Sequence, residues 1–198
     1  MKKLVLAAMM MGMIAVTPVM AHAAAAEQTT ESVQMTETQA PVGQILNWDD
    51  NMTKEFTDKG LSGQFFTIDE LDLKLMIPEG MAQRERTEDE AKDNIATVFA
   101  DEKNEKTVKI RFDEIAGCTS LEDVAKMLVI NPENKVEIGF AKINGLGAVL
   151  VKNAEANTVS AVFPANEGRF LQVICSPVSD PAMFELFQYV IASVQTIS

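Results

Sequence analysis

Asn144-Gly145 stands between two apolar-rich stretches, residues 136–143 and 146–152. A two-residue Asn-Gly link adopts a turn whose twist suits paired strands, so this segment folds as an antiparallel hairpin with its register set by the link. Residues 158–163 and 169–175 flank a second turn at Asn166-Glu167-Gly168. Upstream, 95–101 and 107–115 read as strands, the second alternating through Val108, Ile110 and Phe112. Residues 63–68 and 71–77 form a further pair joined by Asp69-Glu70 and closed by Pro78 and Gly80. Strict alternation would put Leu71, Leu73, Leu75 and Ile77 on one face and Asp72, Lys74 and Met76 on the other.

Three helices punctuate these strands. Asp49-Asp50-Asn51 can cap a short helix that buries Met52 and Phe56 and stops at Gly60. Thr119-Ser120-Leu121-Glu122 has capping-box spacing, with the Thr119 hydroxyl reaching forward and the Glu122 carboxylate back. Leu121, Val124, Ala125 and Leu128 follow at helical spacing until Asn131-Pro132. Asp180 caps the last helix, Pro181 fits its first turn, and Met183, Leu186, Phe187, Val190, Ile191 and Val194 make one apolar stripe. Residues 82–94 are mostly charged or amide side chains and read as a solvated loop or a short exposed helix. The order is helix, four strands, helix, four strands, helix. Most connections are too short for parallel crossovers, so the expected class is α+β, a mostly antiparallel sheet sandwiched by helices.

The first 23 residues carry Lys2-Lys3, an apolar run from Leu4 to Val16, and Ala21-His22-Ala23. A charged start, a short apolar middle and a small-x-small end predict a signal peptide cleaved after Ala23, and hence a secreted or extracytoplasmic protein with no membrane span thereafter. Residues 24–43 lack aromatics and are rich in Ala, Thr, Glu and Gln, so a flexible tether is expected there. Residues 44–198 then make one domain with a single core.

After such cleavage the chain would hold 15 basic and 29 acidic side chains, a net charge of −14. That charge disfavours nucleic acid and anionic membrane surfaces as partners. Cleavage would also remove the only histidine, His22, and with it Ser-His-Asp and Cys-His catalysis and histidine-ligated zinc. Two cysteines, Cys118 and Cys175, are too few for a metal cluster. They form either a disulfide, as export permits, or two buried thiols.

The segments FFTIDELDLKLMIPEGM, CTSLEDVAKML, INGLGAVLV and FLQVICSPVSDPAMFELFQYVIASV, in this order and spacing, resemble the PsbP-like superfamily. More closely, they resemble a group of small exported proteins of anaerobic gut-type bacteria. The resemblance covers roughly residues 44–198 and implies an α/β/α sandwich. Its motifs are structural, and the superfamily's photosystem and GTPase-binding roles do not follow from fold alone.

Acidic groups are the remaining chemical suspects. A hydrolase working with two carboxylates needs them facing one cleft, about 5 to 9.5 Å apart. A divalent cation would look to Asp69, Glu70 and Asp72, or to Asp49, Asp50 and Asn51, yet neither set has the spacing of a calcium loop. Turn and cap duty is the better explanation of both sets, since Asp69-Glu70 links two strands and Asp49-Asp50-Asn51 can begin a helix. Trp48, the only tryptophan, is either a binding anchor or a lock that holds the domain's start on its core. The sequon Asn51-Met52-Thr53 has no assigned role. The expectation is an exported, non-catalytic binding or accessory protein without a cofactor, whose partner is a protein or another envelope component. An extracellular carboxylate-dependent hydrolase and an acidic cation-binding protein are the alternatives.

Overall fold

The computed structural model describes residues 43–69, 72–130, 136–165 and 168–197. The expected signal peptide, nearly all of the expected tether, Glu70, the Asn131-Pro132 helix stop and the Asn166-Glu167 turn lie outside the described residues.

The elements in chain order are β1 (Gln44–Leu46), α1 (Asp50–Asp58), β2 (Gly63–Ile68), β3 (Leu73–Pro78), β4 (Met81–Arg84), α2 (Glu88–Lys92), β5 (Ile95–Asp101) and β6 (Thr107–Glu114). They continue with α3 (Leu121–Ile130), β7 (Val136–Ile143), β8 (Leu146–Asn153), β9 (Thr158–Pro164), β10 (Arg169–Ser176), α4 (Pro181–Ala192) and β11 (Gln195–Thr196). The expected α+β class holds, but the strands divide between two sheets. One has eight strands in the order β1-β7-β8-β9-β10-β6-β5-β4, and the other has three in the order β11-β3-β2. Every described pairing is antiparallel except β1 with β7.

Alternation along the strands gives the large sheet two apolar faces. Ala148, Leu150, Val159, Ala161, Phe163, Leu171, Val173 and Cys175 point one way, into a core closed by α1, α4 and the small sheet. Val149, Val151, Val162 and Phe170 point the other way, against Val124 and Ala125 of α3. Burying these side chains supplies the driving force, at about 25 cal/mol for each Å² of apolar surface removed from water.

Three expectations are corrected. Asp72 is a turn residue with φ +49, outside β3, and Met76 is buried along with Leu75 and Ile77. Leu75 and Ile77 alternate with Met76, but both faces of β3 are covered, so alternation does not separate buried from exposed side chains there. The cap of α3 is shifted by one residue. Ser120 Oγ accepts from the Asp123 amide at 3.2 Å, and the Asp123 carboxylate accepts from the amides of Ser120 and Thr119 at 3.1 Å. Finally, the charged stretch 82–94 holds β4 and α2, and its Glu90 is buried.

The Asn144-Gly145 turn has φ values of +48 and +88, the left-handed region that Asn and Gly tolerate. Asn144 also joins the ends of the fold. Its Oδ1 accepts from the Trp48 amide at 2.5 Å, and its Nδ2 donates to the carbonyls of Ala192 and Val194 at 2.8 Å. Trp48 then stacks edge-on with Phe56, Phe65 and Tyr189, so it locks the domain's start onto the core.

Candidate functional site

On the face covered by α3, two rows of side chains cross the large sheet. The register aligns Arg84, Val98, Lys109, Ile174, Ser160 and Val151 in one row, and Ile95, Arg111, Gln172, Val162 and Val149 in the next. The α3 helix lies over β7, β8 and β9, and α2 lies over β5. Between them β6 and β10 present Lys109, Arg111, Gln172 and Ile174, all half-buried. The apolar face thus gives way to a polar half.

Glu90 of α2 is the best-neutralised group of this half. Arg84 grips it with two bonds of 2.7 and 2.8 Å, Lys109 Nζ lies 2.9 Å away, and the Thr87 amide donates at 2.9 Å. Thr87 and Glu90 form a reciprocal capping box, which fixes the carboxylate over the sheet. Arg84 foremost, then Thr87 and Lys109, hold the Glu90 carboxyl far below the usual range against the effect of burial. Arg84 is itself held by further bonds, since its Nε donates to Asn104 and its Nη1 also to the Glu85 carbonyl, each at 2.8 Å.

Arg111 is held differently. Its nearest described carboxylate is Asp113, with Nη2 to Oδ2 at 3.5 Å, and that carboxylate already accepts from Asn94 at 2.5 Å and from the Glu114 amide at 2.8 Å. Those contacts, Asn94 first, keep the Asp113 carboxyl below its ordinary value. The Arg111 Nε–H is buried and has no acceptor among the described residues. Its guanidinium is a cation with spare donors on the face of an acidic chain, adjacent to the Gln172–Ser160 hydrogen bond of 3.2 Å.

A second titratable group joins α1 to α4. The Tyr189 hydroxyl donates to Glu55 at 3.0 Å, and Lys59 reaches Glu55 at 3.3 Å and also Glu185. Burial raises the Tyr189 phenol, and the carboxylates outweigh burial to keep Lys59 charged. At neutral pH both are fully protonated, which suits a clamp between helices rather than a base or nucleophile.

The acids singled out in the sequence sit at caps and turns. Asp49 Oδ1 accepts from the amides of Met52 and Asn51 at 2.9 and 3.0 Å, which holds its carboxyl low, and Asp50 lies exposed in the first turn of α1. The Asp69 carbonyl accepts from the Asp72 amide at 3.3 Å, and the Asp72 carbonyl accepts from Ile197 at 2.7 Å. Among the described residues no three Asp, Glu, Cys or His side chains gather as metal ligands; Glu70 lies outside them. Cys118 and Cys175 are free and buried on opposite faces of the sheet.

Sequence reasoning missed Arg111, Lys109 and Glu90. The signal was present in β6, where Lys109, Arg111 and Asp113 alternate with Val108, Ile110 and Phe112. Such a pattern ordinarily marks a solvated face. No helix among the described residues is long and apolar enough to cross a membrane. Compared with known proteins, the chain matches no family model and no curated protein.

Proposed function

We propose that this is an exported, non-catalytic binding or accessory protein of PsbP-like architecture, and that its partner lays an acidic group on the polar half of the large sheet, at Arg111. Export rests on the character of residues 1–23, and the architecture on the segments that resemble the superfamily. The binding reading is carried by one observation, the loosely paired guanidinium of Arg111 with its buried, acceptorless Nε–H. The Arg111 side chain is 40% exposed, so its Nη groups can meet a carboxylate in a charge-assisted bond, and the adjacent buried Nε–H senses the change. Neighbouring Lys109 and Gln172 offer further donors along the same floor. The chain's net charge of −12 repels long polyanions, so the reading favours a single acidic group on a protein or envelope component. The test is titration of the protein with sodium acetate and with a short glutamate-rich peptide, watching the Arg111 Nε–H resonance. A saturable shift in the wild type, together with loss of the peptide's binding by calorimetry in Arg111→Gln, supports the reading, and an unmoved resonance sinks it.

A further inference from the structure

Among the described residues the small sheet ends in an unpaired edge. Its outer strand β2 pairs with β3 alone among the described residues, and Gly63, Gln64, Phe65 and Thr67 are exposed. Which backbone groups point outwards follows from three observations. The Glu79 amide donates to the Ser62 carbonyl at 2.8 Å, which makes Ser62/Glu79 a hydrogen-bonded pair. Bonded pairs alternate in an antiparallel ladder, so 64/77, 66/75 and 68/73 are bonded and 63/78, 65/76 and 67/74 are not. Pro78 has no N–H to give, and the Met76 amide donates away from β2, to Ser193 Oγ at 2.8 Å. Both agree with that assignment. Gly63, Phe65 and Thr67 therefore turn their N–H and C=O groups outwards.

Exposed edges are usually guarded by lysine, proline, bulges or short length. The outer strands β1, β4 and β11 have three, four and two residues, whereas β2 has six, GQFFTI, with no charge and no proline. In a chain of net charge −12 an uncharged edge of this length stands out, and it is self-complementary. A twofold axis through Phe65, perpendicular to the sheet, makes Phe65 exchange both backbone bonds with its copy and Gly63 exchange both with Thr67 of the other chain. The same axis sets the two Phe65 rings, each edge-on to Trp48 of its own chain, on one face and Gln64 beside Phe66 on the other. The strand itself carries no charge, and Lys74 of β3 lies over the Phe65 ring of its own chain at 5.6 Å.

We infer that β2 is a dimerisation edge whose partner is β2 of a second copy of this chain, antiparallel and centred on Phe65, joining two small sheets into one of six strands. This is independent of the reading of Arg111, which lies on the other face of the large sheet. The test is sedimentation equilibrium of the purified protein with Phe65→Glu and Phe65→Lys variants, each checked for a cooperative melt. The wild type should self-associate as a dimer. Each variant places like charges together at the axis and should weaken association by roughly tenfold or more. Mixing the two should restore a heterodimer, since opposite charges then meet, and that rescue also shows that the variants are folded. A wild type that stays monomeric at millimolar concentration, or variants that dimerise undiminished, would overturn the inference. So would slow exchange of the Phe65 and Thr67 amides in a monomer, which would mean that another segment of the same chain covers this edge.

Discussion

Asn144 accepts the Trp48 amide on its side-chain oxygen at 2.5 Å, so the turn of one hairpin holds the residue that leads into α1. Nδ2 of the same Asn144 side chain donates to the last carbonyls of α4 and its exit, Ala192 and Val194. Asn144→Gly keeps the left-handed turn but deletes these bonds, and should lower stability by about 2 to 3 kcal/mol. Asn144→Ala should lose about 1 to 2 kcal/mol more, because alanine resists positive φ. Urea unfolding of both variants measures the difference. A loss below about 0.5 kcal/mol for the glycine variant would show that water replaces the bonds.

The shifted cap of α3 separates two neighbouring hydroxyls. Ser120→Ala removes the acceptor of the Asp123 amide and should cost about 1 kcal/mol. Thr119→Ala, which loses only an exposed contact with Asp123, should cost clearly less in the same denaturation experiment. The reverse ranking would restore Thr119 as the cap.

Glu90 gives the acid limb of stability a defined sign. Its carboxyl titrates at about 4.5 when unperturbed and well below that in the fold, so its contribution is present above 4.5 and is lost as pH falls through the folded value. Glu90→Gln should destabilise the protein by about 2 kcal/mol at neutral pH, the scale of a hydrogen bond to a charged group. The gap to wild type should close as the solution becomes strongly acidic. A pH series of thermal melts checks this, and a gap that is constant with pH would contradict it.

The two thiols should stay separate. Cys175 is fully buried and burial drives its thiol far upwards, whereas Cys118, 8% exposed, is raised by burial and by Asp123. A thiol-specific reagent should find both in denaturant without reductant, and in the native protein Cys118 should react first. A mass two hydrogen atoms short would reveal a disulfide instead.

Much of the fold was legible because it rests on local chemistry. The Asn-Gly hairpin, the Asp49 and Asp180 caps and the stripe of α4 each follow from a few adjacent residues. What escaped depends on contacts distant in sequence. Burial of Met76 requires the small sheet to split from the large one, and β1 is a strand only because β7 lies beside it. Glu90 looked like one acid in a charged run until Arg84 and Lys109 were brought to it from two strands. The candidate site was harder still, since Arg111 is marked out only by a buried Nε–H with no acceptor among the described residues.

The most direct measurement is therefore the Arg111 Nε–H resonance during titration with sodium acetate and a glutamate-rich peptide, in wild type and in Lys109→Gln. The account predicts a saturable shift in both ligands, weaker in the variant, with the peptide binding more tightly than acetate. A resonance that does not move at any ligand concentration would contradict an acidic partner at this face.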